Sequence, residues 1–262
     1  MSRWSRAHLP ALAGTGTERQ TLIGAETGAT HIQVDVLWLA AGEATERVTR
    51  FAESVLVVLA GTVTIEGTNL GALGPGGWAH VPVGVPFSVA NAGDEPAQVV
   101  DAVCPQLRSS EIVPDERPSA RLASGRAEDE ARGGTVDLDA PLPPSPVPAF
   151  AVGNIEGATA TSLVNASSGA DHLVLLFIEY AAGGWMAPHD HPFEEAYVFL
   201  TGTMEGVIDG RPERFGPGDV LWTGVGNVHG FTNVGEVPAR WIEIQSPLPP
   251  PRYGARFASA WA

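Results

Sequence analysis

The sequence predicts an all-β protein built from two tandem jelly-roll barrels. The chain contains two similar halves, and its short apolar runs are interrupted by turn residues every ~8–12 positions, as in sandwiches and barrels. The 262 residues include 31 glycines and 22 prolines but only 15 arginines and no lysine, which favours short strands and turns over long helices. With 44% apolar residues, the chain has enough material for packed cores.

The two halves indicate a tandem duplication. Residues 55–107 and 196–248 carry the same turn residues at a nearly constant separation along the chain. In each copy a β-rich run, Val55–Leu59 or Tyr197–Leu200, leads to a glycine, and a Gly-Pro-Gly turn precedes the next strand. Corresponding residues include Gly61 and Gly202, Gly76 and Gly218, Gly84 and Gly226, and Asn91 and Asn233.

Three segments follow from this duplication. We expect a first barrel at residues 1–107, a charged and proline-rich linker at residues 108–148, and a second barrel at residues 149–262. The linker ends in PLPPSPVP, which cannot form a central strand because proline donates no backbone hydrogen bond. The proline-rich C-terminal tail is expected to wrap the barrel or a partner subunit, with Phe257 and Trp261 as anchors.

The charge and cysteine content exclude several functions. A formal net charge of −15 repels nucleic acids and anionic membrane surfaces. No apolar run reaches the ~18 residues of a transmembrane helix, and the N-terminal residues resemble no signal peptide. The single cysteine, Cys104, excludes an internal disulfide and a cysteine-based zinc site. We expect a cytoplasmic monomer or homodimer that binds a small-molecule substrate, and neither nucleic acid nor membrane.

A metal-ligand pattern occurs in the second half. His189, His191 and Glu195 have the same parity, so all three side chains can point into the barrel from strands. His229 follows on a later strand. Three imidazoles and a carboxylate suit a divalent transition metal such as Fe, Mn, Ni, Cu or Zn. An octahedral ion would keep two positions open for water, substrate or dioxygen.

This pattern resembles the two motifs of the cupin superfamily, and the duplication makes the chain similar to a bicupin, with two tandem cupin barrels. The first motif matches from Gly183 to Gly202, and the second departs only at Gly224, where the family usually has proline. The resemblance implies a metal site in a jelly-roll barrel. Bicupins that look like this chain include quercetin-type dioxygenases, whose ligands are also three histidines and one glutamate.

The first copy lacks these ligands. The four corresponding positions hold Val48, Arg50, Ser54 and Phe87. None of these side chains is suited to a metal there, so we expect one metal per chain, in the second barrel. The first barrel is then a packing partner, a second apolar pocket or a support for a lid, and packing is the simplest of these roles.

Two further residues are candidates for catalysis. Tyr197 is in register with the ligands and could hydrogen-bond a substrate oxygen. Glu243 is the best-placed spare carboxylate for acid–base chemistry, although its alignment with Asp101 also fits a structural role. Glu243 or Gln245 could instead orient a ligand histidine.

Three functions agree with this set of residues. We favour a metalloenzyme, a dioxygenase-type oxidoreductase acting on a small neutral or aromatic chelating substrate, because the second barrel has few arginines. The alternatives are a non-redox hydrolase or isomerase, similar to the bicupin ureidoglycine aminohydrolases, and a non-catalytic small-molecule-binding protein. Oxalate decarboxylases resemble the chain in their duplication but normally keep ligands in both barrels.

Overall fold

Twenty β-strands dominate the computed structural model, which describes residues 3–11, 16–107, 112–114 (backbone only), 131–147, 151–250 and 254–258. The predicted all-β fold class is confirmed. Two single-turn 3-10 helices lie at Ala25–Thr27 and Ala166–Ser168, and no described helix is long and apolar enough to cross a membrane. The strands of the first half are β1 (Trp4–His8), β2 (Thr17–Ile23), β3 (Gln33–Leu39), β4 (Val48–Arg50), β5 (Glu53–Ala60), β6 (Val63–Glu66), β7 (Gly77–Val81), β8 (Ser88–Asn91), β9 (Ala97–Cys104), β10 (Ile112–Pro114) and β11 (Arg132–Thr135). Those of the second half are β12 (Ile155–Val164), β13 (Val174–Asp190), β14 (Glu194–Thr201), β15 (Met204–Ile208), β16 (Arg211–Phe215), β17 (Asp219–Thr223), β18 (His229–Asn233), β19 (Ala239–Ser246) and β20 (Arg256–Phe257).

The second barrel is formed by a ten-stranded antiparallel sheet. Its order is β1-β17-β14-β19-β13-β18-β15-β16, and β12 and β20 also pair with β13. The 17-residue strand β13 pairs with β19 along its first half and with β18 along its second half, so it links two sides of the barrel. The change of partner occurs around Gly183, whose φ of +75° is a conformation that glycine adopts without strain.

The first barrel repeats this architecture with fewer strands. Its main sheet has the order β11-β7-β5-β9-β3-β2, and the pairs β6-β8 and β10-β4 complete it. The register repeats too: Val48 lies opposite Phe87, as His189 lies opposite His229. The duplication read from the sequence is therefore present in the strand pairing.

Strand pairing crosses the predicted segment boundaries at both ends. Strand β1, which lies within residues 1–107, pairs with β17 of the second barrel. Strands β10 and β11, which lie within the predicted linker 108–148, pair with β4 and β7 of the first barrel. These short segments cover edge strands that would otherwise expose unpaired backbone groups. The division at residues 107 and 148 stays a prediction, and strand pairing is not confined within the three predicted segments.

The two barrels pack against each other through a shared hydrophobic core. Apolar side chains of β3, β5 and β9 contact those of β13, β14 and β19. Two buried glutamates add reciprocal hydrogen bonds across this interface. Glu194 accepts from the backbone N–H groups of residues 30–32 at 2.8–3.1 Å, and Glu53 accepts from those of residues 171–172 at 2.9 and 2.8 Å. Each carboxylate leaves water but remains hydrogen-bonded, so these hydrogen bonds offset the desolvation cost of burying it at the interface.

Candidate metal site

The four side chains predicted as metal ligands meet inside the second barrel. His189 on β13 lies opposite His229 on β18, His191 follows the end of β13, and Glu195 lies on β14. The candidate ligand nitrogens of the three imidazoles lie within 4.8 Å of one another. Strand pairing places His189 opposite His229, while His191, expected on a strand, lies just past the end of β13 and still reaches the same point.

The Glu195 carboxylate faces two of these imidazoles. Its Oε1 lies 3.3 Å from Nε2 of His191, and its Oε2 lies 3.0 Å from Nε2 of His229. The side chains of these three residues are at most 9% exposed, so water does little to weaken the electrostatic interactions among them.

Backbone carbonyl oxygens fix the tautomer of all three histidines. Nδ1 of His189 lies 2.8 Å from the Ala187 oxygen, and Nδ1 of His229 lies 3.1 Å from the Asn227 oxygen. Nδ1 of His191 contacts the Gly254 oxygen. A carbonyl oxygen only accepts hydrogen bonds, so each Nδ1 carries the proton. In a neutral ring, Nε2 then keeps a lone pair for a ligand.

The charges at the site fit a divalent cation. Burial lowers the pKa of His189 well below its ordinary value, helped by the two neighbouring imidazoles. Burial also lowers the pKa of His191 and outweighs the attraction of Glu195. Burial opposes ionisation of Glu195, but His191 and His229 outweigh it and hold the pKa of this carboxyl far below its ordinary value. A transition-metal cation that displaces the Nε2 protons would satisfy the three imidazole lone pairs and the Glu195 carboxylate together.

Tyr197 lies against the predicted ligands. Its hydroxyl donates to Oε2 of Glu195 at 2.6 Å and lies 3.0 Å from Nε2 of His229. Burial raises the pKa of Tyr197 well above its ordinary value, and the Glu195 charge adds to this effect, so the hydroxyl keeps its proton. In this arrangement Tyr197 orients Glu195, a contact that the sequence did not predict.

Glu243 reaches the site through Gln245. The side-chain amide of Gln245 donates to Glu195 at 3.1 Å and to Glu243 at 2.7 Å, and the Trp241 indole donates to Glu243 at 3.1 Å. Burial raises the pKa of Glu243 to about 8, and the Glu195 charge contributes. The sequence allows Gln245 to orient a ligand histidine. In the structure, Gln245 orients the Glu195 carboxylate instead.

A cavity of about 410 Å³ opens beside the histidines. His189, His191, Glu195 and His229 line it, together with the candidate catalytic residues Tyr197 and Glu243. Neither arginine nor lysine occurs among the described residues that line it. Most of its wall is aliphatic or aromatic and includes Leu176, Ile178, Met186, Phe193, Phe231 and Trp241.

Two segments outside the predicted site also line this cavity. Residues 145–147 of the predicted linker form part of its wall, as do Pro249, Gly254 and Ala255 of the C-terminal tail. Phe257 is buried with its ring 5.3 Å from the His189 ring, as expected for an anchor of the tail. Trp261 lies outside the described residues. The proline and glycine residues of the linker and tail segments predict irregular structure. Nothing in the sequence of either segment predicts that it lies beside the histidines.

In the first barrel an internal ion pair occupies the position of the metal site. Arg50, which corresponds to His191, donates to both oxygens of Asp101 at 3.0 and 2.9 Å and to Ser54 at 2.5 Å. Its guanidinium also lies 5.2 Å from the Phe87 ring centroid. Burial opposes ionisation of Asp101, but Arg50 and Arg19 outweigh it and hold its pKa below the ordinary value. The first barrel thus has a buried ion pair, whose charges cancel, where the second barrel has the proposed metal ligands.

The second barrel resembles known domains in sequence, and the whole chain resembles known structures in fold. Residues 176–245 match the family model described as a cupin domain. The tetracenomycin polyketide synthase protein TcmJ of Streptomyces glaucescens is 35% identical over 95 residues, which are 36% of this chain and 64%, less than two thirds, of that relative. Oxalate decarboxylase of Lactobacillus farciminis in a formate complex superposes with a TM-score of 0.67 at 16% identity, covering 98% of this chain and 89% of that chain. A variant of the Bacillus subtilis oxalate decarboxylase gives 0.65 at 15% identity, covering 98% and 80%. At such identities the structural likeness shows the fold.

Proposed function

Because residues 176–245 match a cupin domain and the whole chain shares the fold of its structural neighbours, we propose that it is a metal-dependent oxygenase for a small, uncharged, aromatic or enolic substrate. The observation that carries this proposal is the apolar cavity, without arginine or lysine in its described lining, beside three histidines and a glutamate.

The lining of the cavity argues against a small dianion such as oxalate, the substrate named for the structural neighbours. Together with Glu195, such a ligand would bring three negative charges to a site where the proposed metal supplies two positive ones, and the described lining adds no cationic side chain, so burying the excess negative charge is unfavourable. A neutral ligand avoids this excess charge, and its apolar surface gains ~25 cal/mol per Å² when it leaves water. The volume of about 410 Å³ suits a ring-containing small molecule.

The residues around the site divide the work of binding and catalysis. His189, His191, His229 and Glu195 would hold the metal, which supplies Lewis acidity and, where redox-active, electron transfer to dioxygen. Gln245 holds the Glu195 carboxylate in place. The buried aromatic wall excludes water, and this strengthens the electrostatic interactions inside the cavity.

One observation favours a second candidate, proton-transfer catalysis without redox chemistry. Glu243 presents a carboxyl group to the same cavity and is hydrogen-bonded through Gln245 to Glu195, so it could donate or accept a proton at bound substrate. The curated relative is named as a polyketide synthase protein, and a polyketide chain carries the carbonyl and enol groups on which such an isomerase or cyclase acts.

The deciding experiment measures oxygen consumption. The protein reconstituted with Fe²⁺ is mixed with 3-hydroxyflavone, a neutral chelating enol, in an oxygen electrode, and a parallel reaction runs without oxygen. Oxygenase activity predicts oxygen uptake with substrate and no product in the anaerobic reaction. Equal conversion without oxygen would transfer the assignment to proton transfer.

Two controls keep this experiment interpretable. His191→Ala should lose activity toward every substrate, since it removes a proposed ligand. Oxalate is supplied in place of the enol, and the cavity predicts no turnover. Turnover of oxalate combined with no binding of neutral enols or phenols would overturn the proposal.

A further inference from the structure

One of the three histidines is oriented by a distant part of the chain. The carbonyls that accept from His189 and His229 lie only two residues earlier in the chain, at position 187 within β13 and at position 227 just before β18. The carbonyl that accepts from His191 belongs to Gly254, 63 residues away in the C-terminal tail. Two of the imidazoles are thus oriented locally, whereas the third depends on a tertiary contact.

His191 also has less local support than the other two. It lies between the end of β13 at Asp190 and the start of β14 at Glu194, outside both strands. Its backbone oxygen accepts one hydrogen bond from the Gly226 N–H at 2.9 Å. Its ring stacks on Phe193 with centroids 4.6 Å apart, and stacking permits the ring to slide or turn. The Gly254 carbonyl is the contact that fixes which nitrogen faces the site.

The tail is held in place by two neighbouring side chains. Arg256 donates to both oxygens of Asp190, the residue next to His191, and this pairing continues the β13–β20 ladder. Phe257 is 4% exposed and packs on the His189 ring. Gly254 and Ala255 line the cavity as well.

We propose that residues 254–257, here called the C-terminal strap, are a positioning element of the metal site: they orient His191 through the Gly254 carbonyl and close one side of the substrate cavity. Because the strap makes both contacts, its docking couples metal retention to closure of the cavity. This inference rests on the metal site of the proposed function but not on the type of reaction.

The test measures Co²⁺ affinity in the full-length chain by absorption titration. The variant Arg256→Ala/Phe257→Ala removes both side-chain anchors of the strap and none of the proposed ligands. We expect its Co²⁺ affinity to fall by about 10–100-fold, the usual effect of losing a partner that orients a metal-bound histidine. The matched control is Arg6→Ala, which breaks a similar bidentate pair with Asp219 that pins β1 to the same sheet. Its Co²⁺ affinity should equal that of the wild type.

A second readout separates orientation of His191 from general loosening. In ¹⁵N-histidine spectra of the metal-free protein, the strap variant should lose the protected Nδ1–H signal of His191 and keep those of His189 and His229. Unchanged Co²⁺ affinity, or equal loss of all three signals, would overturn the strap proposal. Failure of the wild type itself to bind Co²⁺ would overturn the metal site and with it the proposed function.

Discussion

Replacing Arg50 should destabilise the first barrel strongly, because it removes the cation that neutralises a buried carboxylate. Asp101 is 0% exposed and receives two hydrogen bonds from Arg50. Removing one partner of a buried ion pair typically costs ~3–5 kcal/mol. Arg19, which donates to the same carboxylate at 3.0 Å, compensates in part, so we expect a loss of about 3 kcal/mol for Arg50→Ala.

The assay is urea unfolding of the full chain, followed by its midpoint and slope. The double variant Arg50→Met/Asp101→Leu should recover most of the loss, because apolar residues of similar volume often replace a buried ion pair without penalty. A single-variant loss below ~1 kcal/mol, the range of exposed ion pairs, would refute the reasoning. So would a double variant that loses as much as the single one.

The effect of Arg50→Ala should also depend on pH. The pKa of Asp101 is held below its ordinary value in the folded barrel, so the ionised pair contributes stability above the unfolded pKa of ~3.9. That contribution disappears as the pH falls through the lowered folded pKa. The difference between wild type and Arg50→Ala should therefore be full at neutral pH and shrink in acid, and a pH-independent difference would contradict this origin.

Three further predictions, two of them with a control substitution, test other parts of the structure. Glu194→Ala leaves its donors in residues 30–32 without their acceptor, so the free energy of unfolding in urea should fall by ~2–4 kcal/mol. The control Glu205→Ala removes one partner of an exposed ion pair and should cost less than ~1 kcal/mol. Equal losses would refute the interface assignment. Tyr197→Phe removes the hydroxyl that orients Glu195 and should weaken Co²⁺ binding by ~10-fold in the same titration, and unchanged affinity would contradict that role. Gly202→Ala and Gly210→Ala both place a side chain at φ +77°, which costs ~1–2 kcal/mol. At position 202 the new Cβ would also lie 2.5 Å from the Ala239 Cα, so its unfolding midpoint should fall further, and equal midpoints would refute the steric argument.

The fold and the histidine cluster could be read from the sequence because both leave periodic side-chain signals. Turn glycines recur in both copies, and strand parity places His189 and His191 on one face. The ion pair of the first barrel also has a signal, since an arginine stands at a ligand position and an acid, Asp101, aligns with Glu243. Its pairing needed three-dimensional proximity to be recognised.

The remaining features depend on backbone groups and on edge pairing, which carry little sequence signal. Any residue can supply the carbonyl that Gly254 offers to His191. Strand β1 shows no alternation of apolar and polar residues, and its partner β17 lies in the other barrel. Strand parity predicts that Tyr197 faces the site, but its contact with Glu195 depends on a side-chain rotamer.

Metal content per chain is the most direct test of a single metal site in the second barrel. The protein is reconstituted with Fe²⁺ or Mn²⁺, freed of excess metal and measured by elemental analysis, beside His191→Ala with its fold verified by circular dichroism. We predict one ion per chain in the wild type and none in the variant, because the first barrel holds an ion pair in place of ligands. Two ions per chain, or one ion retained by His191→Ala, would contradict the account.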